Sequence, residues 1–157
     1  MVYHHSFDFS QITTYSFYKS DSNFFDSQSL SHSQRNRLEI AIERSLNKQN
    51  FTYTDIDNAD IIVTYHLAKG NGQDYQKYNK AIRFCTPCLK ANAWKKENND
   101  WHVYRDGLIL DIVNPKNNRS VWRSIYPLEF KDKDSSTEQN EKIMAAVDIM
   151  LTQYPGK

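Results

Sequence analysis

The residues of this chain most able to do chemistry are Cys85 and Cys88, spaced by Thr86 and Pro87. AIRF before them reads as a strand and LKANAWKKE after them as a helix start, the setting in which thiol oxidoreductases lower a thiolate pKa at a helix N-terminus. Redox catalysis would also need the motif at the first strand-helix junction of the core, more sheet after it, and a proline loop facing the sulfurs. Only two strands and one helix follow. Pro115 falls in a hairpin turn and Pro127 in or beside the last strand, and neither obviously meets the requirement. A zinc site would take the cysteines as half of a four-ligand shell, but His66, His102 and the His4-His5 pair stand at no diagnostic spacing. A plain disulfide is the third reading. Closing so short a loop removes chain entropy worth about 2 kcal/mol, a local brace only.

A second polar pair comes from Asp111 and Arg123, which a hairpin would bring opposite each other. They could clamp a polar ligand at the surface, or simply form a cross-strand pair, the commoner arrangement. Trp122 then alternates with Arg123 and lies against a helix. Trp94, Trp101 and Tyr104 flank the polar KKENND. They could present an aromatic surface to a sugar or peptide, although a satellite hydrophobic cluster beneath a long loop is the simpler reading. There is no Gly-x-Ser-x-Gly elbow, no glycine-rich phosphate loop and no His-Glu-x-x-His. The reading is therefore of a chain with no catalytic residues, no cofactor and no metal.

Composition narrows the partners. Lys and Arg number 20 against 19 Asp and Glu, so no strong net field recruits polyanions, and nucleic acid is not expected. Aromatic residues make up 13% of the chain while Gly and Pro number four each, which favours strands over loops. No window approaches a membrane span. The N-terminus, MVYHHSFDFSQ, has no basic n-region, apolar h-region or cleavage site, so the chain is either cytosolic or begins after a removed signal.

These groups need elements to position them. Val2 to about Tyr18 alternates as an extended strand, with a break near Gln11. Leu38, Ala41, Ile42 and Leu46 recur at helical spacing within Leu30 to Lys48. ADIIVTYHL predicts a strand with Ile61, Val63 and Tyr65 on one face and Ile62, Thr64 and His66 on the other. Strands at about Trp101–Val113 and Val121–Phe130 flank an NPKNNRS turn. Ser136 and Gln139 suggest a capping box opening a closing helix with Ile143, Val147, Met150, Leu151 and Tyr154 on its apolar stripe. The prediction is one α+β domain over residues 1–157. It is a two-layer sandwich of about four mainly antiparallel strands with two helices on one face, in the order β-α-β-β-β-α, and an inserted excursion at about 69–100. Parallel pairing is open to the strands joined through the first helix.

DFSQITTYSFY, ADIIVTYHL, GLILDIVNPKNNRSVWRS and the helix ending in Tyr154-Pro155 are together similar to the bacterial domain of unknown function 4136 family, from about Phe7 to Tyr154. The resemblance implies a small cell-envelope protein, often a lipoprotein facing the periplasm, with no enzymatic activity assigned to the family. It implies a precursor whose signal segment and lipidated cysteine preceded this sequence, with membrane contact only through that anchor, periplasmic or at the outer membrane. An exported setting favours the disulfide between Cys85 and Cys88. The function so expected is a non-catalytic accessory or binding domain, its partner an envelope protein, peptide or glycan. The alternative is a thiol-disulfide oxidoreductase or metal-binding module using Cys85 and Cys88.

Overall fold

The computed structural model of the chain describes residues 1–19, 30–69, 72–84, 90–91 and 106–155. In chain order its elements are β1 (Val2–Tyr3), β2 (Thr14–Ser16), α1 (His32–Lys48), β3 (Thr52–Tyr53), β4 (Ile61–Lys69), α2 (Gly72–Ala81), β5 (Lys90–Ala91), β6 (Asp106–Asn114), β7 (Arg119–Pro127) and α3 (Ser136–Leu151). All strands join one sheet, ordered β3-β2-β4-β6-β7-β1-β5. β2 pairs parallel with both β3 and β4, and the other pairings are antiparallel. The sheet is thus mixed and has more strands than expected, because short pieces of two or three residues extend a centre of three nine-residue strands.

Both faces of that centre are apolar, and each is covered. Ile61, Val63 and Tyr65 of β4, Leu108, Leu110 and Ile112 of β6, and Trp122 of β7 meet the apolar stripes of α1 and α3 in the main core. α1 and α3 lie side by side and parallel, as Arg37 reaches Gln139 and Lys48 reaches Asp148. The opposite face carries a smaller core of Ile62, Ile109 and Val113 against Tyr78 of α2 and Ile82 just after it. The predicted α+β class and the two helices on one face are found. A sandwich of only two layers is not, because α2, inside the expected excursion, packs on the second face.

The opening segment departs most from its reading. Phe7 and Phe9 alternate with polar residues as in a strand, yet a 3-10 turn forms at Phe9–Gln11, with Asp8 accepting hydrogen bonds from Ser10 N (3.0 Å) and Ser10 Oγ (2.6 Å). The turn divides the segment between β1, beside β7, and β2, beside β4, so the chain crosses the end of the sheet. Phe9 is buried under Tyr154, whose ring stands edge-on to it at 5.6 Å and whose hydroxyl donates to the Phe9 carbonyl at 2.7 Å.

Helix ends follow local chemistry. Ser31 and Gln34 form a reciprocal capping box on α1. α3 is capped by Ser135, which accepts from Glu138 N, one residue earlier than the predicted Ser136 box. At the end of α1, Phe51 N reaches back to the Leu46 carbonyl and Asn50 N to Asn47, with Asn50 in the left-handed region at φ 67°. This Schellman ending turns Phe51 into the core. Tyr154→Phe leaves the buried Phe9 carbonyl without its donor and is expected to lower unfolding free energy by about 1–2 kcal/mol. Urea denaturation checks this, and an unchanged midpoint would show that the clasp carries no stability.

Candidate functional site

The polar groups of this molecule concentrate under α2, in the middle of a hydrophobic sheet. Register sets Thr64, Asp111 and Arg123 in one row across β4, β6 and β7. Asp111 and Arg123 are both fully buried, and Arg123 Nε donates to Asp111 Oδ1 at 2.9 Å. Ser120 Oγ donates to the same oxygen at 2.8 Å. Tyr78 of α2 donates to Oδ2 at 2.7 Å, and its hydroxyl also lies 2.7 Å from Thr64 Oγ1. His66 stacks on the Tyr78 ring with centroids 4.8 Å apart. The cross-strand pair foreseen between Asp111 and Arg123 is therefore present. Its burial corrects the surface-clamp reading, since neither charge reaches solvent.

Ser120 and Arg123 can both face Asp111 only because β7 is irregular. Residues three apart on a regular strand point to opposite faces. Between Ile112 and Val113 the register shifts, pairing Ile112 with Trp122 but Val113 with Ser120. Val121 is the extra residue of this bulge, and Ser120 joins Arg123 on the α2 side while Val121 and Trp122 both enter the main core.

The end of α2 completes the enclosure. Phe84 N bonds the Asn79 carbonyl and Arg83 N the Lys80 carbonyl, a second Schellman ending, with Arg83 at φ 52° where glycine is usual. This swings Phe84 over the guanidinium of Arg123, whose Cζ sits 3.6 Å from the ring centroid. The Ile82 carbonyl accepts from Ser120 N at 2.9 Å, tying the helix end to the bulge.

Burial is the first cause raising the Tyr78 hydroxyl well above its ordinary pKa, and the Asp111 carboxylate is the second, since it opposes a phenolate beside it. Tyr15, in the main core, is likewise pushed up to about 12, first by burial.

Ser120 also lines an open cleft of about 120 Å³ between the segment just after β1, the turn after α2 and the β6–β7 turn, with His4, Phe7, Arg83, Asn114, Asn117 and Arg119 around it. Of the residues singled out from the sequence, Cys85, Cys88, Trp94, Trp101 and Tyr104 lie outside the described residues. Thr64, Tyr78, Phe84 and Ser120 were not singled out. The spacing of Tyr78 and Ile82, four apart in a polar stretch, was the available signal for α2.

Fold and site together define an α+β domain with a polar brace sealed inside a mixed sheet. The family model described as Domain of unknown function (DUF4136) matches residues 1–156, and the chain belongs to that family. A crystal structure of a DUF4136 family protein from Bacteroides thetaiotaomicron is similar, with a TM-score of 0.58 and 15% identity over 99% of this chain and 96% of that one. A crystal structure of a PDZ domain protein from Parabacteroides distasonis is similar with a TM-score of 0.50 and 18% identity over 100% of this chain and 36% of that one. No curated protein matches it in sequence. At these identities the two solved structures establish a shared fold.

Removing one charge of the brace strands the other in an apolar setting. Asp111→Leu and Arg123→Met are each expected to cost about 3–5 kcal/mol, while the Asp111→Leu/Arg123→Met double variant costs no more than either alone. A denaturation cycle measures this, and strict additivity would contradict the pairing. A folded-state tyrosine pKa raised above 10 contributes stability that is complete below pH 10 and is lost as pH rises through the raised value. Stability is therefore expected to fall steadily above about pH 10, and absorbance titration of Tyr78→Phe should show one late-ionising tyrosine fewer than wild type.

Proposed function

We propose that the chain is a non-catalytic binding or accessory domain of the cell envelope, carried on the periplasmic side by a lipoprotein-type precursor. The observation that carries the non-catalytic part is the seclusion of the densest polar constellation. Asp111 and Arg123 are 0% exposed and sit between Tyr78, Ser120 and the Phe84 ring, so a substrate has no approach to them. A group sealed in this way serves architecture, and recognition falls to the rim and the surface around it.

Membership of the DUF4136 family is consistent with this reading, which adds a location and a role that the family description does not supply. The similar structure from Parabacteroides distasonis is the larger chain of a PDZ domain protein. A fold that occupies about a third of a longer protein suits an accessory module working beside other domains. The partner class we favour is an envelope protein, peptide or glycan.

Two measurements test this. Expression from the natural start of the gene, followed by fractionation and globomycin treatment, is expected to place the protein in the envelope and to reveal a lipid-dependent mobility shift. Recovery in the cytosolic fraction would defeat the location. The purified domain is expected to show no insulin-reduction turnover and no stoichiometric zinc. Turnover abolished by Cys85→Ser would instead establish the thiol-disulfide enzyme.

A further inference from the structure

The cleft between the segment after β1 and the β6–β7 turn is rich in hydrogen-bond donors. The Asn114 side-chain oxygen accepts from Lys116 N at 3.0 Å, and the Asn117 side-chain oxygen accepts from Arg119 N at 3.1 Å. Each asparagine spends its acceptor on the turn, and each keeps an amide NH2 group with no hydrogen-bond partner among the described residues. His4 Nδ1 lies 2.7 Å from Ser6 Oγ and 3.3 Å from Ser6 N, which holds the imidazole at the edge of the cleft. Arg83 gives Nη1 to the Asn117 carbonyl at 3.1 Å and so lies across the turn. Among the described lining residues none is a carboxylate. The nearest acid bonded to the lining, Asp111, stands behind Ser120 with its charge matched by Arg123.

Two guanidinium-bearing residues and two amide NH2 groups thus border one small space, beside the imidazole of His4 and the Ser6 and Ser120 hydroxyls. A compact oxyanion presents several acceptor lone pairs to such donors at once. Backbone strain points to the same place. Arg83 holds a left-handed φ of 52°, a position where glycine avoids a cost of about 1–2 kcal/mol. Strain of this kind clusters at ligand sites, where a side chain is needed at a position better suited to none.

We propose that this cleft binds a compact oxyanion, a phosphate or carboxylate group of a larger ligand, with Arg83 and Arg119 as charge partners and Asn114 and Asn117 as hydrogen-bond donors. The proposal deepens the binding-domain reading by naming the chemical class of its ligand. Screening confines the field of the cleft to roughly 8 Å at physiological salt, so recognition depends on contact with these side chains.

The test is an amide NMR titration of the purified domain at neutral pH and constant ionic strength, with inorganic phosphate in one arm and acetate in the other. Saturable shifts are expected at His4 and across Asn114–Val121. Tighter phosphate than acetate identifies a phosphate group, and the reverse a carboxylate. Arg119→Gln is expected to weaken binding about tenfold, the loss of one charge-assisted contact. Arg83→Gly separates binding from folding: it relieves the left-handed strain, so the melting temperature should hold or rise while affinity drops by about tenfold. Lys116→Gln, on the same turn but outside the lining, should bind as wild type. No saturable shift by about 10 mM of either anion, or wild-type affinity in both arginine variants, overturns the proposal. Envelope fractionation would be untouched by that failure, so the two readings stand or fall separately.

Discussion

The arrangement on which the rest of this molecule depends is the burial of one carboxylate, that of Asp111, in the centre of an apolar sheet. A charge removed from water needs its full complement of partners, or folding is opposed by several kcal/mol. Here the donors come from different places: Ser120 and Arg123 from β7, and Tyr78 from α2. Thr64 on β4 meets the same tyrosine hydroxyl. Satisfying the carboxylate therefore fixes the seating of β7 and the docking of α2 on the sheet at the same time. Directed hydrogen bonds of this kind, unlike apolar contacts alone, specify a single register of the strands they join.

That requirement accounts for the irregularity of β7. Two donors on one strand, three residues apart, cannot reach one oxygen while the strand alternates regularly, so an extra residue must be inserted. Val121 is that residue, and the same insertion turns the indole of Trp122 into the main core next to it. The bulge also leaves Ser120 exposed to two environments. Its hydroxyl faces the buried carboxylate, its backbone N–H holds the end of α2, and its residue borders the cleft. A ligand at the cleft would consequently rest against the element that organises the interior.

Much of this architecture is legible in the residues, and the parts that are not have identifiable causes. β4 declares both its faces through Ile61, Val63 and Tyr65 against Ile62, Thr64 and His66, because alternation survives when each face is buried by a different element. The Asp111–Arg123 pairing follows from the turn between β6 and β7 and is found in register. Its burial does not follow, because burial is decided by α2, which lies in a polar stretch and is anchored, among the described residues, by Tyr78 and the Ile82 that follows the helix. Ser120 was out of reach for a sharper reason: a bulge is one residue of shifted register, and nothing in RSVWRS marks which residue is extra. The opening strand misled because Phe7 and Phe9 alternate as strand residues do, while the short Asp8-to-Ser10 hydrogen bonds that bend the chain depend on no periodicity at all.

Net charge was the least useful guide to recognition. Twenty basic residues against nineteen acidic ones give a chain with almost no overall field, which argues against polyanions wrapped over a large surface. It has no bearing on a cleft of about 120 Å³, because a Debye length of roughly 8 Å decouples such a space from charges on the far side of the molecule. What matters there is local sorting of donors from acceptors. Asn114 and Asn117 achieve it by turning their oxygens onto the backbone of their own turn, and the brace achieves it from beneath by pairing Asp111 with Arg123. The interior salt bridge and the donor-lined rim are in this sense one design. A carboxylate neutralised inside the sheet lets its serine neighbour border a cationic space without bringing an opposing charge to it.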